Sequence, residues 1–162
     1  CENDCEALIK KILGNSNKYN CQIICPEDVV VSKNLENKGK DKDINEIDDN
    51  EMILDIGPKT ISSIEKIINN SNTVLWNGPA GYFENPNFQN GTKEILEIIT
   101  QKTINDKIFS VAGGGETVAA INKFKKFNSF SFVSTAGGAF LEYLEGKTLP
   151  GIKALNNNVW IK

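Results

Sequence analysis

The sequence predicts an α/β protein built on a parallel sheet with helices on both faces, a Rossmann-like three-layer arrangement. Three observations carry that expectation. Short apolar runs alternate with amphipathic stretches across short connections, whereas hairpin strands need no helix between them. The runs read as near-continuous apolar segments, the pattern of strands buried on both faces. One device also recurs three times: an apolar run, a Gly-rich loop, then a helical stripe.

Taken in order, Leu8, Ile9, Ile12 and Leu13 form the first helical stripe, within Glu6 to Leu13. Cys21–Cys25 (CQIIC) is a short apolar run stopped by Pro26 and reads as a strand, and Asp28–Ser32 (DVVVS) reads as extended. Residues 34–50 are polar and aperiodic, so a surface loop is expected there. Met52–Ile56 is a strand ended by Gly57-Pro58, and Ile61, Ile64, Ile67 and Ile68 mark the next helix. Strand Thr73–Trp76, a long loop rich in Gly, Asn and Pro, and a helix through Ile95, Leu96, Ile98 and Ile99 follow. Strand Lys107–Ala112 leads through Gly113–Gly115 to a helix with Val118, Ile121 and Phe124. Strand Phe130–Ser134 leads through Ala136–Gly138 to a helix with Leu141 and Leu144.

Composition narrows the function. With 162 residues, 40% hydrophobic and 24% charged, the chain suits one globular core. A net charge of -3 argues against nucleic acid as the main partner, since phosphate backbones select basic surfaces. No apolar run approaches the roughly 20 residues that span a bilayer. Every basic residue is Lys, and His is absent. Cys1, Cys5, Cys21 and Cys25 have a CxxxC…CxxxC layout that is compatible with zinc spacing but lacks tight CxxC knuckles. Cys21 and Cys25 lie in the apolar strand pattern and are therefore expected to be reduced, buried thiols.

The three Gly-rich loops are VLW-NGPAG, FSVA-GGGE-TVAAI and SFVST-AGGA-FLEYL. In a parallel sheet such loops emerge at the carboxyl ends of the strands, where open α/β folds bind ligands. Glycine lets the backbone approach a ligand closely, and the N–H groups of the following helix favour an anion. Each loop could equally be a tight connection, but three of them together, two with consecutive glycines, point to phosphate. GGGETV does not fit the GxGxxG dinucleotide pattern. Gly146-Lys147-Thr148 resembles the end of a P-loop but follows a helix instead of preceding one, so it is read as a decoy.

LDIGPKT (54–60), WNGPAGYFE (76–84), AGGGET (112–117), STAGGAFLEYLEGKTLPG (134–151) and, more weakly, PEDVVV (26–31) occur in the order and spacing of the phosphoglycerate kinase family, which the chain resembles over most of its length. The wording is closest to bacterial members. The resemblance implies that residues 1–162 correspond to the C-terminal part of the nucleotide-binding domain, about the final two-fifths of a bilobal, cytoplasmic, monomeric enzyme. The N-terminal lobe, which holds 3-phosphoglycerate, and its basic residues would be absent, leaving a partial domain.

Carried across motif by motif, the resemblance implies that Glu84 accepts hydrogen bonds from the ribose of ADP or ATP and that Asn77 lies near the phosphates. It implies that Gly114, Gly115 and Thr117 hold the phosphate chain, that Glu116 meets nucleotide-bound Mg2+, and that Gly137 and Gly138 offer N–H groups to the transferring phosphoryl group. The implied reaction is the reversible transfer of the acyl phosphate of 1,3-bisphosphoglycerate to ADP in glycolysis, with this part of the enzyme inactive by itself. Four departures stand out: Glu116 replaces the family's Asp, Ala136 the first of three glycines, Tyr82 a smaller apolar residue, and Phe140 a Ser. A non-catalytic nucleotide- or anion-binding remnant or interaction module is the competing expectation, and a zinc-stabilised domain a third.

Overall fold

The computed structural model describes residues 4–156. Six helices, α1 (Glu6–Lys18), α2 (Pro58–Asn69), α3 (Asn90–Ile104), α4 (Gly115–Lys123), α5 (Gly138–Leu144) and α6 (Pro150–Asn156), accompany six strands: β1 (Asp28–Ser32), β2 (Lys40–Asp43), β3 (Met52–Ile56), β4 (Thr73–Trp76), β5 (Phe109–Gly113) and β6 (Phe132–Ser134). The strands form two sheets. One is parallel with order β4-β5-β6, and the other is antiparallel with order β2-β1-β3.

The parallel sheet is the expected one, built from the three strand–loop–helix units. Its register places Trp76, Ala112 and Val133 in a row on one face. That face meets Ile68 of α2, Ile95, Leu96 and Ile99 of α3, and Ala120 and Ile121 of α4 in a single core, in which Trp76 stacks on Phe130 with centroids 6.0 Å apart. The opposite row is Leu75, Val111 and Phe132. It is covered at its C-terminal rim, where Phe140 lies over Gly113, and is open below. Phe109 and Phe132 are each 54% exposed, so helices on both faces do not describe this sheet. An apolar strand signals a site fit for burial; it does not say that the same stretch of chain supplies the cover.

The antiparallel sheet corrects two further expectations. Only β2 and a single 3-10 turn at Ile44–Glu46, with no α-helix, lie between β1 and β3, so the chain reverses between them and pairs antiparallel, with the register shifting between Val30 and Val31. Within the polar stretch expected to be a loop, Lys40–Asp43 pairs along β1 as an edge strand. Its alternating Lys and Asp carry no apolar periodicity, and charge is a usual device for blunting an edge. Lys42 anchors the return, at 2.8 Å from both Asp48 and Glu51.

Residues 21–25 form no strand, and Ile23 and Ile24 are 43% and 42% exposed. Cys21 and Cys25 are exposed, not buried, because no strand in the described residues pairs with this run. α1 has no buried residue, so its apolar stripe faces solvent. No helix among the described residues is long and apolar enough to cross a membrane.

Two buried carboxylates fix the helix starts. Gly57 at the N-cap of α2 has no side chain to offer, and Asp28 of β1 substitutes: its carboxylate accepts from the N–H groups of Lys59 (2.9 Å) and Thr60 (2.8 Å) and from the Thr60 hydroxyl (2.7 Å). A Cβ on Gly57 would lie 2.3 Å from the Asp28 carboxyl carbon, so the PEDVVV and GPKT segments are complementary halves of one cap. Asp55 of β3 likewise accepts from Gly91 N–H at 2.8 Å near the start of α3 and from its neighbour Ile56 N–H at 2.9 Å. Cβ atoms on Gly81 and Gly91 would approach Asp55 Oδ1 to 2.2 and 2.3 Å.

Burial raises the Asp55 pKa against the opposing N–H bonds. For Asp28 burial also raises the pKa, but the N–H groups of Lys59 and Thr60 and the Thr60 hydroxyl outweigh it, and the net direction is down. A depressed folded-state pKa stabilises fully above the unfolded value of about 3.9 and is lost as pH falls through the folded value. Asp28→Asn is therefore expected to cost about 1.5–3 kcal/mol at pH 7, the usual worth of hydrogen bonds to a charged group. The deficit should narrow in urea unfolding carried out progressively below pH 4. Gly91→Ala is expected to cost about 1–3 kcal/mol, measured the same way, because the methyl must displace a held carboxylate.

Candidate functional site

The C-terminal ends of β4, β5 and β6 lie level, with Trp76 opposite Ala112 and Gly113 opposite Ser134. The loops that follow therefore leave one rim. Asn77, Gly114 and Gly137, each on a different loop, are brought to this rim by the parallel register.

The loops are joined to one another. Gly78 N–H donates to Thr117 Oγ1 at 2.7 Å, tying the WNGP loop to the first turn of α4. Asn77 closes the same junction: a Cβ on Gly114 would lie 2.5 Å from Asn77 Oδ1. Gly114, the N-cap of α4, has φ +99°, a conformation that L side chains rarely adopt, so glycine is required there twice over. The β6 loop joins through Phe140, whose ring stands 2.3 Å from where a Cβ on Gly113 would be. Phe140 thus has a packing role that a Ser would not fill. Gly137, the N-cap of α5, has φ +57°. Ala136 is exposed, and its N–H donates to Ser134 Oγ at 3.3 Å.

Around Gly115, Gly137 and Gly138 the space is open, with nothing within 4 Å of an added Cβ. Packing does not demand glycine at Gly115 or Gly138, and the rim backbone is accessible there. Glu116 is exposed in the first turn of α4, where a carboxylate also suits the helix dipole. Thr117, by contrast, is 1% exposed.

The loop carrying Glu84 is pinned along its length. Ala80 and Gly81 donate N–H to Thr92 Oγ1 at 3.0 and 3.2 Å, and Tyr82 N–H donates to Leu54 O at 2.8 Å. Asn85 and Asn87 side-chain amides donate to Leu35 O and Glu36 O. Glu84 is exposed, and Lys123 of α4 donates to the carbonyls of Phe83 and Glu84. The Tyr82 side chain is 42% exposed.

Residue-by-residue reading missed four supports: Asp28, Asp55, Thr92 and Lys123. Asp55 and Thr60 sit inside the LDIGPKT motif, but nothing local says that they cap helices. Among the described residues no three His, Cys, Asp or Glu side chains converge to hold a metal ion. Cys1 lies outside the described residues. Gly146, read as part of a P-loop decoy, ends α5: Gly146 N–H bonds to Tyr143 O and Lys147 N–H to Glu142 O, a Schellman turn with Gly146 at φ +79°.

Known proteins share this sequence pattern and this fold. The family profile described as phosphoglycerate kinase matches residues 1–147. The chain is 41% identical over 157 residues to the phosphoglycerate kinase of Chelativorans sp. (strain BNC1), covering 96% of this chain and 39% of that one. It is 43% identical to that of Zymomonas mobilis subsp. mobilis, covering 96% and 40%. Its fold superposes on the structure of phosphoglycerate kinase from Coxiella burnetii with a TM-score of 0.86 and 38% identity, covering 96% of this chain and 40% of that chain. The enzyme from Pyrococcus horikoshii OT3 gives a TM-score of 0.70 at 28% identity with the same coverage. The chain spans about 40% of the length of these relatives, and over that span it belongs to the phosphoglycerate kinase family.

Proposed function

We propose that the rim of β4, β5 and β6 binds Mg-ADP or Mg-ATP and serves the reversible transfer of the acyl phosphate of 1,3-bisphosphoglycerate to ADP, giving ATP and 3-phosphoglycerate. The observation that carries the proposal is the Gly78–Thr117 hydrogen bond, which sets the WNGP loop against the α4 N-terminus beside the open backbone at Gly115. In this reading Glu84 accepts from the ribose hydroxyls and Asn77 lies beside the phosphates. Gly114 and Gly115 direct main-chain N–H groups at them, and Thr117 acts by positioning. Gly137 and Gly138 offer N–H groups where charge develops on the transferring group.

The donor set fits a magnesium ion that arrives on the nucleotide. Glu116 supplies one exposed carboxylate, and Mg2+ in phosphoryl-transfer sites is commonly held by one or two carboxylates plus substrate phosphates. When bound, the ion neutralises charge on the phosphate oxygens. Glu116 is one methylene longer than the family's Asp, and a misplacement of about 1 Å can cost about 100-fold in rate.

A second reading is a nucleotide-binding module without turnover. The glycine loops favour it, since phosphoryl transfer needs positive charge on the equatorial oxygens and neither Gly113–Gly115 nor Ala136–Gly138 has a Lys or Arg immediately beside it. On the first reading, too, this chain binds nucleotide but does not catalyse transfer by itself; adding the rest of a phosphoglycerate kinase separates the two, because turnover then appears only on the first.

Titration calorimetry is expected to show one saturable Mg-ADP site. Glu84→Ala should weaken Mg-ADP binding about 10-fold or more, by loss of charge-assisted hydrogen bonds, and leave inorganic tripolyphosphate binding unchanged. Glu116→Gln should remove the gain in affinity that Mg2+ confers and spare binding measured in EDTA. The absence of saturable ADP binding at millimolar concentration would sink the proposal.

A further inference from the structure

α4 has two ends, and the second also touches the proposed site. Lys123 lies in its last turn, where a basic side chain ordinarily interacts with its own helix's carbonyls. Here Nζ reaches across to another segment. It donates to Phe83 O and, at 3.3 Å, to Glu84 O. It also lies 5.8 Å from the centroid of the Phe83 ring and 5.7 Å from that of Phe124, within cation–π range of both. Phe83 is 4% exposed, so the aromatic partner and its carbonyl are fixed by the core, whereas Lys123 itself is exposed and fills no space in the core.

We infer that Lys123 is a positioning residue that holds Glu84 in register with the phosphate end of the site. The inference rests on the nucleotide reading above. Two carbonyls aimed at one point are satisfied by a group with more than one donor, and an ammonium group supplies three. Upstream, the loop is held by Thr117, Thr92 and Leu54; downstream, the Asn85 and Asn87 side chains hold it to residues 35 and 36. At Glu84 the main-chain carbonyl is held by Lys123. α4, nine residues or about 13 Å long, therefore acts as a strut. Its first turn engages Gly78, and its last turn fixes the carboxylate-bearing residue that would meet the ribose. The distance between the phosphate-binding and sugar-binding parts is set by a helix, not by the loop.

The test compares the unaltered chain with Lys123→Met, which keeps the stem and loses the donors, and with Lys123→Arg, which keeps donors. The probes are Mg-ADP, Mg-2′,3′-dideoxy-ADP and tripolyphosphate, with amide hydrogen exchange followed in the free protein at Asn85, whose N–H donates to Tyr82 O at 3.1 Å. The unaltered chain should prefer ADP to the dideoxy analogue. In Lys123→Met that preference should fall about 5-fold or more while tripolyphosphate affinity holds, exchange at Asn85 should quicken, and Lys123→Arg should restore both. A preference and exchange unchanged in Lys123→Met would overturn the inference and leave the nucleotide reading standing. Faster exchange in a protein that binds no ADP would overturn both, leaving Lys123 a loop anchor. If Lys123→Met does not fold, the same comparison is read from Lys123→Leu, which also lacks every donor and should show the same loss of preference; an unchanged preference there overturns the inference.

Discussion

The buried carboxylate of Asp55 is the constraint on which the rest of the structure depends. It stands at the end of β3, in the antiparallel sheet, and accepts an N–H from Gly91 at the start of α3, the helix that packs into the core beneath the parallel sheet. The surrounding backbone approaches so closely that neither Gly81 nor Gly91 can carry a Cβ without striking it. Burial disfavours its charge, so the fold bears an electrostatic cost at this point, offset by N–H donors that have no better partner. One side chain thereby sets where the small sheet meets α3 and where the loop after β4 can run. Asp28 does the same for α2 with a more favourable set of donors.

From that junction the rim follows. With α3 placed, Thr92 presents its hydroxyl to Ala80 and Gly81, and Leu54 receives Tyr82, so the long loop after β4 becomes a rigid strap instead of a floppy excursion. The strap then meets α4 twice, at Thr117 and at Lys123. A loop of Gly, Asn and Pro has little hydrophobic burial to order it; here hydrogen bonds to side chains of α3 and α4, and to the main-chain carbonyls of Leu54, Leu35 and Glu36, take that part. The opposite face of the parallel sheet has no such support. Leu75, Phe109 and Phe132 stand exposed, an unusual state for a parallel sheet, in a chain that spans about 40% of the length of its relatives.

Local patterns made much of this readable in advance. Thr73–Trp76 was bounded by Asn and Gly, the isoleucines of α2 and α3 fell at helical spacing, and the order of glycine motifs pointed to the family and to a rim of loops. Legibility failed where the signal lay in a partner far along the chain. Lys40–Asp43 has no apolar alternation, because an edge strand is held by main-chain pairing to β1 and not by its side chains. CQIIC has every local mark of a strand, yet it is exposed and unpaired among the described residues. The glycines at 57, 81 and 91 looked like turn residues, and their reason is a carboxylate 26 to 36 positions away in the paired segments.

The sequence by itself determined the family, the three strand–loop–helix units and the residues available at their ends, because periodicity and glycine placement are local properties encoded within a few residues. Tertiary structure alone decided which loops touch, which sheet face is covered and which carboxylates cap which helices. Those outcomes depend on distances between segments remote in the chain: the bond from Gly78 to Thr117 spans 39 positions and that from Lys123 to Glu84 also 39, and no short pattern specifies either.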